Sequence, residues 1–439
     1  MVATTRTERS LSAAAEDAVG RFAAANPRSH EAFEAGTAHM PGADTRSVLH
    51  YAPFPVTIVG GDGATLEDLD GHTYTDFLGD YTAGLHGHSN PRIRAALHET
   101  IDNGLRLGGP HPSMHELASL MCERFPAVER VRFTNSGTEA NLMALSLARV
   151  ATGRDAVLVC DGGYHGGVLD FASVDRRLNV PFPWVTTPYN DPYAARDCIT
   201  ENASRLAAVL VEPMLGGGGA IPGDPQFLAA LRDETARYEI PLVFDEVITS
   251  RLAPGGLHGE LGIAPDLVTF GKYLGGGASF GAFGGRADLM ALFDPRLPGA
   301  LHHAGTSNNN VLSMSAGLAG LRDVYTGPAV LELNNRGDRF QSHLQGVADE
   351  RGAPVRVTGR GSVLNVHFQR QEIVCASDTA ATSPEARTLF HMEMMLAGFY
   401  LAPRGLMSLS LAIDDSDCER FATEFGRFLD RHGRWLEDT

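Results

Sequence analysis

The chain has 439 residues, 43% of them hydrophobic, and a formal charge of −17 from 36 basic and 53 acidic residues. That length exceeds one ordinary domain and allows a sizeable core. The acidic balance argues against a surface built for nucleic acid or an anionic membrane, so any anionic ligand must be held by local groups.

From the amino terminus, MVATTRTERSLSAAAEDAVGRF carries acids and no signal-peptide core, and its spacing predicts a short helix. Turn signals follow around Pro41-Gly42, and a hairpin is predicted through Val56 to Phe77 with Asp70-Gly71 at its turn. From about Tyr81 to Tyr325 strands and helices alternate, the pattern of an α/β protein with a mostly parallel central sheet and helices on both faces. The tail from about Leu331 reads as a helix, the strand-like VLNVHF and SLSLAI, and two more helical stretches, which predicts a small α+β domain. With no repeat or linker in view, the expected division is residues 1–80 joining the small domain, 81–325 as the large domain and 326–439 as the small one.

Five cysteines (Cys122, Cys160, Cys198, Cys375, Cys418) are widely spaced and form no C-x-x-C. They predict reduced thiols in a cytoplasmic protein. The 17 histidines include no ligand-spaced pair beside acids, and no metal site is expected. No apolar run is long enough to span a bilayer.

The strands of the middle region share one property. VRF runs into Thr134-Asn135-Ser136-Gly137, VLVC into Asp161-Gly162-Gly163-Tyr164-His165-Gly166, AAVLV into Glu212-Pro213, PLVF into Asp245-Glu246 and LVTF into Gly271-Lys272. Open α/β sheets gather their ligands at such carboxyl ends. Ser136-Gly137-Thr138 opens an apolar helix, where free N–H groups and the helix dipole suit a phosphate; an ordinary helix cap uses the same residues. Tyr164, after a glycine pair, is placed either to lie over a planar ring or simply to pack. Asp245 suits a protonated pyridine nitrogen, a helix cap or an arginine. Gly305-Thr306 opens a polar loop able to offer a hydroxyl, although alone it signals only a turn.

Lys272 is the only lysine in the chain, against 35 arginines. Arginine substitutes for lysine wherever only charge is wanted, but a guanidinium cannot act as an amine nucleophile. A lone lysine between a buried strand and the Gly-rich LGGG is therefore either a remnant of compositional drift or a group kept for its nitrogen. Such an amine can form a Schiff base with a carbonyl, typically that of pyridoxal phosphate.

SGTEAN, the Tyr164-His165-Gly166 triplet, VEP, DEV, TFGKYLGGG with FGAFGG, and the Gly-Thr near residue 305 follow the order and spacing of class III pyridoxal-phosphate aminotransferases, which the chain resembles along almost its whole length. The resemblance implies fold type I, the aspartate-aminotransferase-like fold, and a homodimer with shared active sites. It implies that Lys272 carries the cofactor and moves the substrate proton in a ping-pong reaction, and that Asp245 binds the pyridine nitrogen. Val247 and Tyr164 would take the two ring faces, and Ser136, Gly137 and Thr138 the phosphate, with Thr306 supplied by the partner subunit. Glu212 matches a motif position without an assigned role.

Within the class, ADTRSVLHYAPFP, DYTAG, DEVITSRLAP and LAPRGLMSLSL resemble the β-phenylalanine (β-amino-acid) aminotransferases. This closer likeness implies Arg46 and Arg404 as carboxylate binders and Val48 and Tyr81 as shapers of the pocket, with a β-amino acid as donor and 2-oxoglutarate or pyruvate as acceptor. Bidentate pairing of arginine with carboxylates agrees with that assignment. Ile248-Thr249-Ser250-Arg251 stands in place of the GFGR-like continuation of amine and ornithine-type enzymes. The Gly-rich loop and the PGA-x-x-R-S start are also similar to glutamate-1-semialdehyde aminomutase. That aminomutase and a non-catalytic pyridoxal-phosphate-binding protein are the alternatives.

Overall fold

The computed structural model describes residues 10–173 and 175–436. Residues 1–9, the first part of the stretch read for a signal peptide and a helix, lie outside them; the helix itself is Leu11–Ala25, followed by Pro27–Thr37. Next come β1 (Ile58–Asp62), β2 (Thr65–Asp68) and β3 (Thr73–Asp76), an antiparallel meander rather than the single hairpin expected. Asp70-Gly71 does connect β2 to β3, with Gly71 at φ 91°, but an earlier turn at Gly63, φ 54°, adds a strand. Asp70 also accepts the N–H groups of Arg28 and Ser29, at 2.7 and 2.9 Å, which ties the meander to the second helix.

The central sheet is made of β4 (Arg130–Thr134), β5 (Ala156–Cys160), β6 (Trp184–Thr187), β7 (Leu206–Val211), β8 (Leu242–Asp245), β9 (Leu267–Gly271) and β10 (Gly281–Gly285), in the order β4-β10-β9-β8-β7-β5-β6. All pairings are parallel except those of β10, which runs antiparallel to both neighbours. Every residue of β5, β7, β8 and β9 is buried. Their unbroken Val, Leu and Ala runs meet helices on both faces, the expected pattern for parallel strands. The helices begin sharply: Asn90, Asp191 and Asp224 cap the next N–H groups with a proline in the first turn behind each.

Sequence reading passed over β10, because GAFGG has little intrinsic strand preference. The close packing accounts for its glycines: a Cβ on Gly281 would lie 2.1 Å from the Ser136 carbonyl, and one on Gly285 2.2 Å from that of Asp266. The edge strand β6 was also unanticipated.

The tail adds the helix Gly327–Glu350, β11 (Arg356–Arg360), β12 (Val363–His367), the helix Pro384–Leu396, β13 (Phe399–Tyr400), β14 (Leu406–Ser408) and the helix Asp415–Leu436. The run SLSLAI is not a strand beyond its first residue. After Ser408 the backbone leaves the sheet, Leu409 N–H donating to Ser362 (2.9 Å) and Leu411 N–H to Leu85 (2.8 Å), so its leucines pack between layers. β13 pairs in parallel with β3, and the first helix packs on Pro384–Leu396. Both chain ends therefore share one core, with Phe22, Phe77, Phe399, Phe421 and Phe425 buried in the same cluster.

Candidate active site

The carboxyl ends of β4 and β9 open onto a cavity of about 880 Å³ whose walls include Arg46, Asp80, Ser136, Gly137, Lys272 and Phe280. Asp245, the last residue of β8, is 4% exposed. An isolated carboxylate there would be costly, and it is surrounded by donors. Oδ2 accepts from Asn141 Nδ2 and pairs with His165 Nδ1, each at 2.8 Å, while Oδ1 accepts the Val247 N–H at 3.1 Å. Asn141 is itself fixed, donating to the His165 carbonyl at 2.9 Å and accepting the Thr269 hydroxyl at 2.6 Å. The buried His165 Nε2 has no hydrogen-bond partner among the described residues.

Lys272 leaves β9 in the left-handed region, φ 53°, which turns its side chain out of the strand register at a cavity wall. Desolvation pushes its amine down to about 8; Asp245 and Glu212 pull against that, and Arg404 adds to it. A lysine so placed holds a substantial neutral fraction near physiological pH.

At the start of the helix Gly137–Thr152, Ser136 Oγ accepts the Glu139 N–H at 3.1 Å. That leaves the Gly137 and Thr138 amides at the positive end of the dipole without helical acceptors. The approach is tight on all sides. A Cβ at Gly137 would come within 2.7 Å of Val247 Cγ2, and one at Gly166 (φ 127°) within 2.1 Å of Thr138 Oγ1. Tyr164, 42% exposed, is held by its own N–H, which donates to Glu212 Oε1 at 2.8 Å, and Glu212 Oε2 accepts from Gly216 at 2.9 Å. Burial pushes the Glu212 carboxyl up to about 7, with His165 opposing and Asp245 reinforcing the shift.

On the substrate side, the guanidiniums of Arg46 and Arg404 lie over the Tyr81 ring, 5.6 and 5.5 Å from its centroid. Arg46 is paired with Asp80 at 2.6 Å, whereas the buried Arg404 Nε has no partner among the described residues. The Tyr81 hydroxyl donates to the Val48 carbonyl, and the Val48 side chain is 41% exposed. Tyr81 sits in a left-handed turn, with φ of 53° at Gly79, 44° at Asp80, 52° at Tyr81 and 79° at Thr82. At about 1–2 kcal/mol for each residue bearing a Cβ, three such residues store roughly 3–6 kcal/mol. Leu78 and Gly79 N–H groups donate to Asp76 Oδ1, each at 2.9 Å, and help hold the turn.

Of the residues singled out from sequence, Lys272, Asp245, Val247, Ser136, Gly137, Thr138, Tyr164, Arg46, Tyr81 and Arg404 converge here, with Val48 joined through its carbonyl. Thr306 is exposed, and its loop is fastened to Asn135 through Asn308 at 2.9 Å. Sequence reasoning gave no role to Asn141, His165 or Asp80. An Asn within an apolar helix was a usable signal for the first, whereas Asp80 carried none.

The arrangement offers an anion cradle at a helix start with Val247 packed against it, a buried carboxylate and an amine with a lowered pKa. This donor set fits pyridoxal phosphate. No group of three or more His, Cys, Asp or Glu suited to a metal occurs among the described residues.

A family model described as aminotransferase class-III matches residues 48–393. A β-phenylalanine transaminase of Variovorax paradoxus is 49% identical over 430 residues, 98% of this chain and 99% of that protein. The crystal structure of a β-phenylalanine aminotransferase from Variovorax paradoxus superimposes with a TM-score of 0.95, covering 97% of this chain and 98% of that one at 49% identity. A transaminase solved with PLP bound gives 0.85 at 28% identity, over 93% and 99% of the two chains. A glutamate-1-semialdehyde aminomutase from Pseudomonas aeruginosa PAO1 shares the fold, with a TM-score of 0.87 at 23% identity over 97% and 98%.

Proposed function

The chain belongs to the class-III aminotransferase family, and from that footing we propose that it moves the amino group of a β-amino acid such as β-phenylalanine to 2-oxoglutarate or pyruvate. The observation that carries the donor assignment is the pair of guanidiniums over one tyrosine ring, Arg46 and Arg404 at Tyr81, with Arg404 close enough to Lys272 to lower its pKa. Likeness to the Variovorax β-phenylalanine transaminase supports it.

Pyridoxal phosphate, when bound, supplies an aldehyde carbon for the amino group and a ring that accepts the electron pair left when a proton departs. Ser136, Gly137 and Thr138 would hold its phosphate, Val247 and Tyr164 would flank its ring, and Asp245 would pair with its ring nitrogen. Asn141 and His165 keep the Asp245 carboxylate aimed, since each donates to or pairs with Oδ2. Lys272 takes the substrate proton and returns it, a task suited to an amine pushed down to about 8. Arg404, desolvated and with no carboxylate paired to it among the described residues, binds the second carboxylate of a dicarboxylic acceptor. Arg46, already paired with Asp80, exchanges that partner for the carboxylate that every substrate carries, and Tyr81 and Val48 bound the space for a side chain.

The same reading takes the active unit to be a homodimer with Thr306 reaching the partner's site. It divides the chain at residues 80 and 325 and places the protein in the cytoplasm, in keeping with five unpaired thiols. An amino-donor panel tests the central claim: β-phenylalanine, short β-amino acids, α-amino acids and 1-phenylethylamine, each with one keto acid. Fastest turnover with β-amino acids is expected. Preference for 1-phenylethylamine or α-amino acids overturns the donor assignment, as does conversion of glutamate semialdehyde without a second substrate.

A further inference from the structure

Arg251 closes the Ile248-Thr249-Ser250-Arg251 segment that follows Asp245-Glu246-Val247. Its side chain is fully buried, and no carboxylate pairs with it among the described residues. A buried cation without an anion weakens a fold relative to an apolar residue of the same size, so its retention points to a task that a hydrophobic residue cannot perform. Arg251 donates to four separate places: Nε to Ser362 Oγ (3.1 Å), Nη1 to Ser408 Oγ (2.8 Å) and to the Thr82 carbonyl (3.2 Å), and Nη2 to the Leu409 carbonyl. Its own carbonyl accepts from the Tyr325 hydroxyl at 2.6 Å and Asn334 Nδ2 at 2.9 Å, so backbone and side chain are both fixed.

Thr82 is the last residue of the left-handed turn that carries Asp80 and Tyr81. Strained backbone of this kind persists only where its surroundings over-determine it. Asp76 fixes the front of the turn through the Leu78 and Gly79 N–H groups, and Arg251 fixes its end. We infer that Arg251 is a positioning residue for substrate recognition: it locks the Gly79–Thr82 turn against Ser408 and so sets the spacing of Arg46, Tyr81 and Arg404. The inference rests on reading those two arginines as carboxylate binders. A planar fork reaching acceptors on several segments is a geometry that lysine does not reproduce.

The test uses the holoenzyme with Arg251→Met and with the double change Ser362→Ala, Ser408→Ala, which removes two acceptors and keeps the guanidinium. The readouts are kcat and KM for β-phenylalanine and 2-oxoglutarate, the absorption spectrum of the bound cofactor with its pH midpoint, and the thermal midpoint. A small displacement of a binding group is costly. Arg251→Met is therefore expected to raise KM for both substrates at least about tenfold, and the double variant about threefold, with kcat held within about threefold and the spectrum and its pH midpoint unmoved. A lowered thermal midpoint with KM unchanged would show that Arg251 only fills space, and overturns the inference. If Arg251→Met does not fold, the double variant decides by the same criteria. Arg404→Ala is measured alongside. If it leaves KM unchanged, the carboxylate reading itself fails; if it raises KM while the Arg251 and serine variants do not, only the positioning role is lost.

Discussion

A single lysine makes its ionisation directly observable. Desolvation lowers the Lys272 amine from 10.5 to about 8 in the protein without its cofactor. At about 1.36 kcal/mol per tenfold change in the proton equilibrium this corresponds to roughly 3 kcal/mol, an upper bound because the amine opens onto a cavity. At pH 8 about half of the amine is then neutral, against roughly 0.3% for an ordinary lysine. The folded value lies below the unfolded one, so the folded apoprotein binds fewer protons between pH 8 and 10.5. This group's contribution to stability is therefore present above about 10.5, falls away through that window, and is lost as the pH drops through about 8. Asp245→Asn removes the foremost charge opposing the shift and is expected to move the midpoint further down, on the order of one pH unit. Arg404→Ala removes a neighbouring cation that depresses it and is expected to move it up. Protein grown with ε-¹⁵N-lysine gives one side-chain signal, whose shift against pH reads the midpoint. A wild-type apoprotein midpoint near 10.5, or a rise in Asp245→Asn, would refute the placement of this amine in a desolvated pocket beside Asp245.

Lys272→Arg keeps the charge but removes the amine nucleophile; keto-acid release should vanish while circular dichroism and the oligomeric state are retained. Asp245→Asn is expected to bind cofactor yet slow the amino-donor half-reaction by about two orders of magnitude or more, read by stopped-flow absorbance, since the ring nitrogen loses its anionic partner. Arg404→Ala should reduce kcat/KM for 2-oxoglutarate about tenfold or more relative to pyruvate, the loss of a charge-assisted hydrogen-bonded pair; equal losses for both acceptors contradict a selective clamp. In Gly166→Ala the new Cβ must find room 2.1 Å from Thr138 Oγ1 at φ 127°, so the affinity for pyridoxal phosphate, measured by fluorescence titration, should fall.

The central strands, the phosphate-cradle helix and the lone lysine were legible because each is a local property of the chain: an apolar run ending in polar residues, a Ser-Gly-Thr before a helix, one amine among arginines. The glycine-rich β10 was not, because its glycines answer to the Ser136 and Asp266 carbonyls lying against it, which no local propensity encodes. SLSLAI failed for a related reason: alternation marks burial, and burial between layers leaves the same trace as burial in a sheet. By itself the sequence determined which groups are available for chemistry. Only the tertiary structure decided that Asn141 and His165 serve Asp245, that Arg46 is paired with Asp80 while no carboxylate among the described residues pairs with Arg404, and that Arg251 reaches across to Thr82, because hydrogen-bond partnership and desolvation depend on distances between segments far apart in the chain.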